Sequence, residues 1–338
     1  MDATDRKLLN YLQSSFPLSP YPYSEIAQAL GLSHEETLSR VRTLKERGIL
    51  RQVSAIFDSK RLGYRSTLAA LRLPFSELDT AGAVVSRHPG VSHNYARNHI
   101  YDLWFTITLP ASQSLEEEVS RLAREAGAQS FLILPMVRQF KLDARFDMVA
   151  EEAASSEPTT VRTNSAAQPV DPAPVALTSL ELDAVRELQE DLPVEERPFR
   201  AMADRLDLSE GGLLALAQDL QERGIMRRYS AQLRHRQAGF VANAMGCWIV
   251  PEDRLESAGQ AMATFPQVTH CYQRPTCPDW PYSLFTMVHA QSRAGCEAVA
   301  LDISKATGIS DFILLFSMKE YKKTRVKYLR EGEQAPAT

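Results

Sequence analysis

The sequence has few of the features that mark secreted, metal-binding or membrane proteins. Its 338 residues include four cysteines, all in the C-terminal half and none in a C-x-x-C pair: Cys247, Cys271, Cys277 and Cys296. This spacing indicates neither a disulfide framework nor a structural zinc site, and we expect no bound metal. No run of about 18 apolar residues occurs, and acidic residues stand near the start, where a signal peptide carries its basic region. We therefore expect a cytoplasmic protein with no membrane partner.

Positive charge is not in excess either. The chain carries 38 Lys and Arg against 42 Asp and Glu, a formal net charge of −4, so it has no overall attraction to phosphate backbones or acidic ligands. Any site for nucleic acid or for an anionic ligand must then be a local basic patch. With 44% hydrophobic and 24% charged residues, the composition is that of a globular chain of about two domains.

What the sequence does contain is an internal duplication. LKERGILRQVSA from Leu44 recurs as LQERGIMRRYSA from Leu220, and VSHNYAR from Val91 recurs as VTHCYQR from Val268. Further on, FLILPMVRQFK recurs as FILLFSMKEYK. The offset between the copies grows from 176 to 177 and then to 181 residues, so the second copy gains a few residues beside the VTHCYQR segment.

A stretch poor in large apolar residues separates the two copies. It is rich in Ala, Ser, Thr, Pro and Glu, so it buries too little apolar surface to offset the entropy lost on ordering. This composition predicts a flexible linker. A linker of this length lets the copies pack as an intramolecular pseudo-dimer, and further oligomerisation stays open. The predicted segments are a winged helix-turn-helix at 1–62, a βαββαβ domain at 63–149, the linker at 150–176, a degenerate winged helix-turn-helix at 177–238 and a second βαββαβ domain at 239–330.

Each copy opens with three short helical patterns and continues with strands and helices in alternation. In copy one Ser33 is placed to cap the third helix, Gly31 lies in the turn before it, and Gly48 ends it. The segments that follow indicate strand, helix, strand, strand, helix, strand. The predicted fold class is α+β, a tandem repeat of a winged helix-turn-helix and a ferredoxin-like βαββαβ domain. This arrangement resembles the Lrp/AsnC family of transcription regulators.

That resemblance raises the question of DNA binding, which needs cations on the reading helix. Copy one has three on its third helix: Arg40, Arg42 and Lys45. The equivalent positions of copy two hold uncharged residues: Leu216, Gln218 and Gln221. Because a two-fold operator needs two working readers, DNA is not an expected partner, and a solvated helix face is the preferred interpretation of the three cations.

The repeated strand segment is the most informative feature. Alternate residues of a strand share a face, which predicts two matching rows: Val91, His93, Tyr95 and Arg97 in copy one, and Val268, His270, Tyr272 and Arg274 in copy two. The valines indicate a sheltered face, where imidazole, phenol and guanidinium groups are costly to bury unless they meet partners or a ligand. Two interpretations stay open, a site for an acidic ligand and a structural hydrogen-bond network at the sheet interface.

Aromatic residues and further histidines flank both segments. The candidate contacts are His99, Tyr101 and Trp104 in copy one and Trp280, Tyr282 and His289 in copy two. Three prolines stiffen the loop of copy two, which suits a rigid wall around a flat ligand. His99 fits a hairpin surface equally well, and His289 fits a strand interface.

The segments SHNYARNHIYDLWFT and THCYQRPTCPDWPYSLFTMVH resemble the two signature segments of the Lrp-like siroheme decarboxylases, one from each subunit type, here fused in one chain. The resemblance implies a cofactor-independent carboxy-lyase that removes carboxyl groups from two acetate side chains of siroheme. Its product would be 12,18-didecarboxysiroheme, in cytoplasmic heme d1 or alternative heme b biosynthesis. It also implies siroheme, an iron tetrapyrrole, as substrate and heme as a regulatory ligand. The alternatives are a DNA-binding regulator and a heme sensor.

The chemistry of these residues predicts their roles. The expected catalytic residues are two proton donors, His93 and His270, and two groups that orient a carboxylate or relay a proton, Tyr95 and Tyr272. Arg97 and Arg274 are expected to clamp carboxylates, because a guanidinium fork binds them bidentately. The flanking aromatics and histidines complete the predicted substrate-binding set. His99 or His289 could hold the donor role instead, and the His270 segment is favoured as the principal site.

Overall fold

The computed structural model describes residues 1–14, 16–142, 173–233 and 242–330. Residues 150–172 of the predicted linker lie outside these ranges. The helices are α1 (Ala3–Ser14), α2 (Pro22–Leu30), α3 (His34–Glu46), α4 (Leu78–Arg87), α5 (Leu115–Glu125), α6 (Ser179–Leu188), α7 (Arg200–Arg205), α8 (Glu210–Glu222), α9 (Leu255–Thr264) and α10 (Arg293–Thr307). The strands are β1 (Leu50–Phe57), β2 (Tyr64–Arg72), β3 (Val91–Arg97), β4 (Leu103–Pro110), β5 (Ser130–Pro135), β6 (Arg138–Leu142), β7 (Met226–Leu233), β8 (Ala242–Trp248), β9 (Val268–Gln273), β10 (Leu284–Ala290) and β11 (Phe312–Lys323). Among the described helices, none is both long and apolar enough to cross a membrane.

The first three helices of each copy form a helix-turn-helix unit followed by one strand. Ser33 caps α3, with its Oγ accepting the N–H of Glu36 at 3.1 Å, and Ser209 caps α8 through the N–H of Gly212. Gly31 ends α2 with φ +68°, a conformation that glycine adopts without strain, and turns the chain into α3. The predicted helix-turn-helix pattern is confirmed in both copies.

The two helix-turn-helix units pack on each other. Apolar residues of α1, such as Leu8 and Leu12, share one buried cluster with residues of copy two, such as Leu188 and Leu213. β1 pairs antiparallel with β7, so the two wings form a single two-stranded sheet. The sequence predicts each wing strand but not that its partner lies in the other copy.

The cations of α3 contact protein groups, many of them in copy two. Arg42 Nη2 donates to Val194 O at 2.9 Å, and Lys45 Nζ binds the Asp191 carboxylate at 2.8 Å. Arg40 pairs with three carboxylates of its own unit: Asp2, Asp5 and Glu36. A DNA-reading helix would direct these side chains at phosphates. In this protein, Arg42 and Lys45 of α3 instead hold the two copies together.

The two βαββαβ domains share one nine-stranded antiparallel sheet with the order β5-β2-β4-β3-β11-β8-β10-β9-β6. β11 pairs first with β8 of its own copy and then, from Ser317 onward, with β3 of copy one. β6 of copy one pairs in the same way with β9 of copy two. β5 and β6 are the two edge strands of this order, and only two residues of the chain, Met136 and Val137, separate them. The two ends of the sheet therefore meet, and the sheet closes on itself.

The helices cover the outer face of this sheet. α4 and α5 contribute Val85 and Leu122 to one buried cluster, and α9 and α10 contribute Met262 and Ile303 to a second. The inner face of the closed sheet is left to surround a central space. Eight of the twelve side chains that the sequence predicts to be functional lie on this inner face.

Candidate active site

A β-bulge in each copy sets the direction of the key side chains. The register steps from Val91 opposite Ile107 directly to His93 opposite Thr106, so Ser92 is an extra residue in β3. The prediction that the valines share a face with the histidines is therefore wrong. Val91 packs in the cluster beneath α4, on the outer face.

β9 repeats this arrangement. The register steps from Val268 opposite Val288 to His270 opposite Met287, which makes Thr269 the extra residue. Val268 packs beneath α9 together with Cys271, so Cys271 lies on the outer face. The bulges thus aim the two histidines inward.

The His, Tyr and Arg side chains of both rows line one cavity of about 1330 Å³ in the centre of the closed sheet. It is larger than the 300–1,000 Å³ of sites for drug-sized ligands, which suits a macrocycle. Eight of the sequence-predicted residues line it: His93, Tyr95, Arg97, Trp104, His270, Tyr272, Arg274 and His289. The two copies therefore build one shared space and not two separate pockets.

The cavity is strongly cationic. Its described lining includes seven lysines and arginines, namely Lys60, Arg65, Arg97, Arg228, Arg274, Lys323 and Arg325, and one acid, Glu116. Sequence reasoning missed five of these cations, because they lie in the turn before β2, at the start of β2, on the wing strand β7, or at and just beyond the end of β11. This local charge, in a chain of net charge −4, favours a ligand that carries several carboxylates.

The two central arginines reach across to the other copy. Arg97 Nη1 donates to Leu315 O at 2.7 Å, and Arg274 Nη1 donates to the equivalent Leu134 O. The Nε atoms of both are buried and have no hydrogen-bond partner among the described residues. Burial lowers both pKa values to about 10, so each arginine stays charged at neutral pH. In each copy, the Nε–H donor and the positive charge of the guanidinium thus remain to bind an anionic ligand.

A hydroxyl group holds each histidine in place. Ser92 Oγ lies 3.0 Å from His93 Nδ1, and Thr269 Oγ1 lies 2.8 Å from His270 Nδ1. The Thr269 hydroxyl also lies 3.5 Å from Met287 O, so it connects the imidazole to strand β10.

The environment shifts the ionisation of several cavity groups. Burial, with the positive charges of Lys323 and His270, lowers the pKa of His93 to about 3. Burial, with His270 and Lys323, also lowers the pKa of His289 to about 3. Burial raises the pKa of Tyr272 to about 12. These two imidazoles and this phenol are therefore neutral at pH 7.

The remaining predicted residues form an aromatic cluster behind the cavity wall. His99, Tyr101, Trp280 and Tyr282 do not line the cavity. Trp280, which is 1% exposed, has its ring centroid 5.2 Å from Trp104 and 4.8 Å from Tyr282. Trp104 lines the cavity in front of this cluster. The structure thus gives these four residues a place in the wall that supports Trp104.

The pseudo-symmetry of the two halves is incomplete. His93 lies opposite Thr106 on one side and Lys323 on the other. His270 lies opposite Met287, and His289 follows on the same strand face of β10 and also lines the cavity. One half therefore pairs its imidazole with an ammonium group, and the other half with a second imidazole.

Comparisons with known proteins agree with this architecture. A family model of the AsnC-like ligand binding domain matches residues 61–141 and 237–322, and a model of the siroheme decarboxylase NirDL-like HTH domain matches 5–51 and 182–227. A siroheme decarboxylase from Hydrogenobacter thermophilus is 40% identical over 96% of this chain and 95% of its own length. Single siroheme decarboxylase subunits, a beta subunit from Methanosarcina barkeri and an alpha subunit from Desulfovibrio desulfuricans, are 48% and 43% identical over 41% and 44% of this chain, covering 92% and 85% of their own lengths.

A solved structure shares the whole fold. The crystal structure of the siroheme decarboxylase NirDL in complex with an iron-uroporphyrin III analogue matches with a TM-score of 0.71 and 34% identity, over 97% of this chain and 95% of that one. The match includes both helix-turn-helix units and both βαββαβ domains, so it is a match of the complete tandem arrangement. On these grounds the chain belongs to the siroheme decarboxylase family, in its fused two-copy form.

Proposed function

We propose that this chain decarboxylates siroheme, converting two acetate side chains to methyl groups and yielding 12,18-didecarboxysiroheme. The observation that carries the proposal is the pair of His/Tyr/Arg rows facing one cationic cavity. A flat macrocycle ringed by carboxylates needs both apolar walls and cations, and the cavity offers both. The proposal includes a cytoplasmic location and a product that serves heme d1 or alternative heme b biosynthesis.

The reaction is balanced without an oxidant or a reductant. The bond between the methylene carbon and the carboxylate carbon breaks, the carboxylate leaves as CO₂, and the electron pair passes to the methylene carbon and the pyrrole ring. A proton added at that carbon completes the methyl group. Each carboxyl group lost therefore consumes one proton, and we propose that no resident cofactor is required. The protein has to bind carboxylates, exclude water and deliver the proton.

The cavity residues can divide these tasks. Arg97 and Arg274 hold carboxylates with the donors that their cross-copy hydrogen bonds leave over. Buried His93 is neutral at pH 7 because its pKa is about 3, and a bound carboxylate adds the negative charge that favours the imidazolium. The proton that the reaction consumes thus becomes available when the substrate is in place.

The hydroxyl beside His270 gives a testable prediction. Thr269→Val keeps the side-chain shape but removes the hydroxyl that is hydrogen-bonded to His270 Nδ1. We expect kcat for siroheme to fall about tenfold, the equivalent of one hydrogen bond of about 1.4 kcal/mol, and the pH optimum to shift because the ring is no longer held in one tautomer. Thr269→Ser retains the hydroxyl, so it is the matched control and should keep the wild-type kcat and pH optimum. A wild-type pH profile in Thr269→Val would contradict the positioning role.

The function itself is tested by incubating the purified chain with siroheme under anaerobic conditions and following the tetrapyrrole by mass spectrometry. Stepwise loss of one and then two molecules of CO₂ is the expected result. A shifted Soret band with an unchanged mass would overturn the enzyme and favour a heme sensor. A DNA-binding regulator is disfavoured because Arg42 and Lys45 of α3 contact copy two.

A further inference from the structure

The end of β11 carries two cations that enter the cavity. β11 continues past its own sheet and pairs with β3, where Lys323 lies opposite His93. The chain stays extended for at least one more residue, since Thr324 N donates to Ser92 O at 2.8 Å. Lys323 and Arg325 are two residues apart along this extended segment, so they share a side, and both line the cavity.

Arg325 is fixed at the junction of the two wings. Its Nη1 donates to Ser54 O at 2.8 Å and its Nη2 to Ser230 O at 3.1 Å. Ser54 and Ser230 are register partners in the β1·β7 sheet, so the guanidinium is held between the two wings. These acceptors are uncharged, and they leave the positive charge of Arg325 to act on whatever occupies the cavity.

This charged pair occurs once in the chain. With the offset of 181 residues that relates the last strands, the positions equivalent to Lys323 and Arg325 are Leu142 and Ala144, which carry no charge. In contrast, His93, Tyr95 and Arg97 all have counterparts in copy two. The cations at the end of β11 therefore break the two-fold symmetry of the cavity.

We infer that Lys323 and Arg325 form a carboxylate subsite that holds a non-reacting side chain of the macrocycle and fixes the orientation in which it binds. The inference rests on the proposed function. A pseudo-symmetric cavity would accept a disc-shaped ligand in two orientations related by its axis, and only one of them places a given acetate beside His270. A single cationic subsite distinguishes the two orientations, because they place side chains of different length, acetate or propionate, beside it and only one of these brings its carboxylate within reach.

The test measures binding separately from turnover. Iron uroporphyrin III is titrated into the full chain at pH 8, where His93 is neutral, and followed by its Soret band. We expect Lys323→Gln to weaken binding about tenfold and to reduce the salt dependence of the Kd, as for the loss of one charge-assisted hydrogen bond. Lys319→Gln is the control, since Lys319 is an exposed lysine of β11 that pairs with Asp79. It should bind within about twofold of wild type, because an exposed ion pair contributes little.

Orientation is read from the products. In Lys323→Gln, partial turnover of siroheme should give a mixture of singly decarboxylated isomers where wild type gives mainly one. Unchanged affinity for iron uroporphyrin III together with an unchanged isomer ratio would overturn the subsite. If wild type bound the porphyrin and did not decarboxylate siroheme, the proposed function would fail, whereas a tenfold affinity loss in Lys323→Gln would still support the subsite.

Discussion

His270→Ala should lower the rate of siroheme decarboxylation by about 10²- to 10⁴-fold, the usual contribution of a positioned proton donor. The bulge at Thr269 turns this imidazole into the cavity, and the Thr269 hydroxyl holds its Nδ1 at 2.8 Å. His289 lies on the neighbouring strand and supplies a second imidazole. Without His270 the proton has to come from a less well placed donor, such as His289 or water. Single-turnover assays under anaerobic conditions, with the tetrapyrrole identified by mass, measure the effect.

Two matched variants make this result interpretable. His34 also has its Nδ1 on a serine hydroxyl, at 3.0 Å from Ser24, but it lies at the start of α3, outside the cavity, so His34→Ala should retain wild-type turnover. His93→Ala tests the other half. If each histidine serves one acetate, His93→Ala and His270→Ala accumulate singly decarboxylated products of different mass-spectrometric fragmentation. Full activity in His270→Ala, with loss of activity in His93→Ala, would contradict the preference for copy two.

Local sequence patterns predicted the elements of this fold well, because each element depends on near neighbours. β3 covers the predicted row from Val91 to Arg97, and Ser33 caps α3 as expected. The exchange of β6 and of the end of β11 between copies was not predictable in this way. Strand partners are set by contacts far apart in sequence, and both segments pair with the other copy.

The candidate site was only partly predictable, again because local patterns do not show which distant segments meet. Strand alternation placed His93, Tyr95 and Arg97 together, but it put Val91 on their face, because a one-residue bulge cannot be seen in a period-two pattern. Lys323 carried a weak signal, a charge in copy two where copy one has leucine. Its place opposite His93 depends on the strand exchange, so only the structure brings it to the site.

Arg97→Gln should weaken the binding of iron uroporphyrin III by about 10- to 150-fold, the equivalent of about 1.5–3 kcal/mol for a hydrogen bond to a charged group. The guanidinium is 8% exposed, binds one neutral carbonyl, and has an Nε without a described partner. Burying such a charged group without a partner is unfavourable, and a ligand carboxylate offsets this unfavourable free energy. Calorimetric or spectroscopic titration of the variant against wild type measures the loss.

The same substitution separates a ligand clamp from a structural network. Glutamine can still donate an N–H toward Leu315 O, so we expect the free energy of unfolding of Arg97→Gln to change by less than about 1 kcal/mol, since the variant no longer buries an uncompensated charge. Arg72→Gln, at an exposed arginine of β2, controls for the loss of one charge and should alter neither quantity. A large drop in the free energy of unfolding with unchanged porphyrin affinity would instead assign Arg97 to the hydrogen-bond network that joins the two copies. In that case we would assign Arg274 to the same network, because it makes the equivalent bond to Leu134 O and the two arginines are related by the duplication.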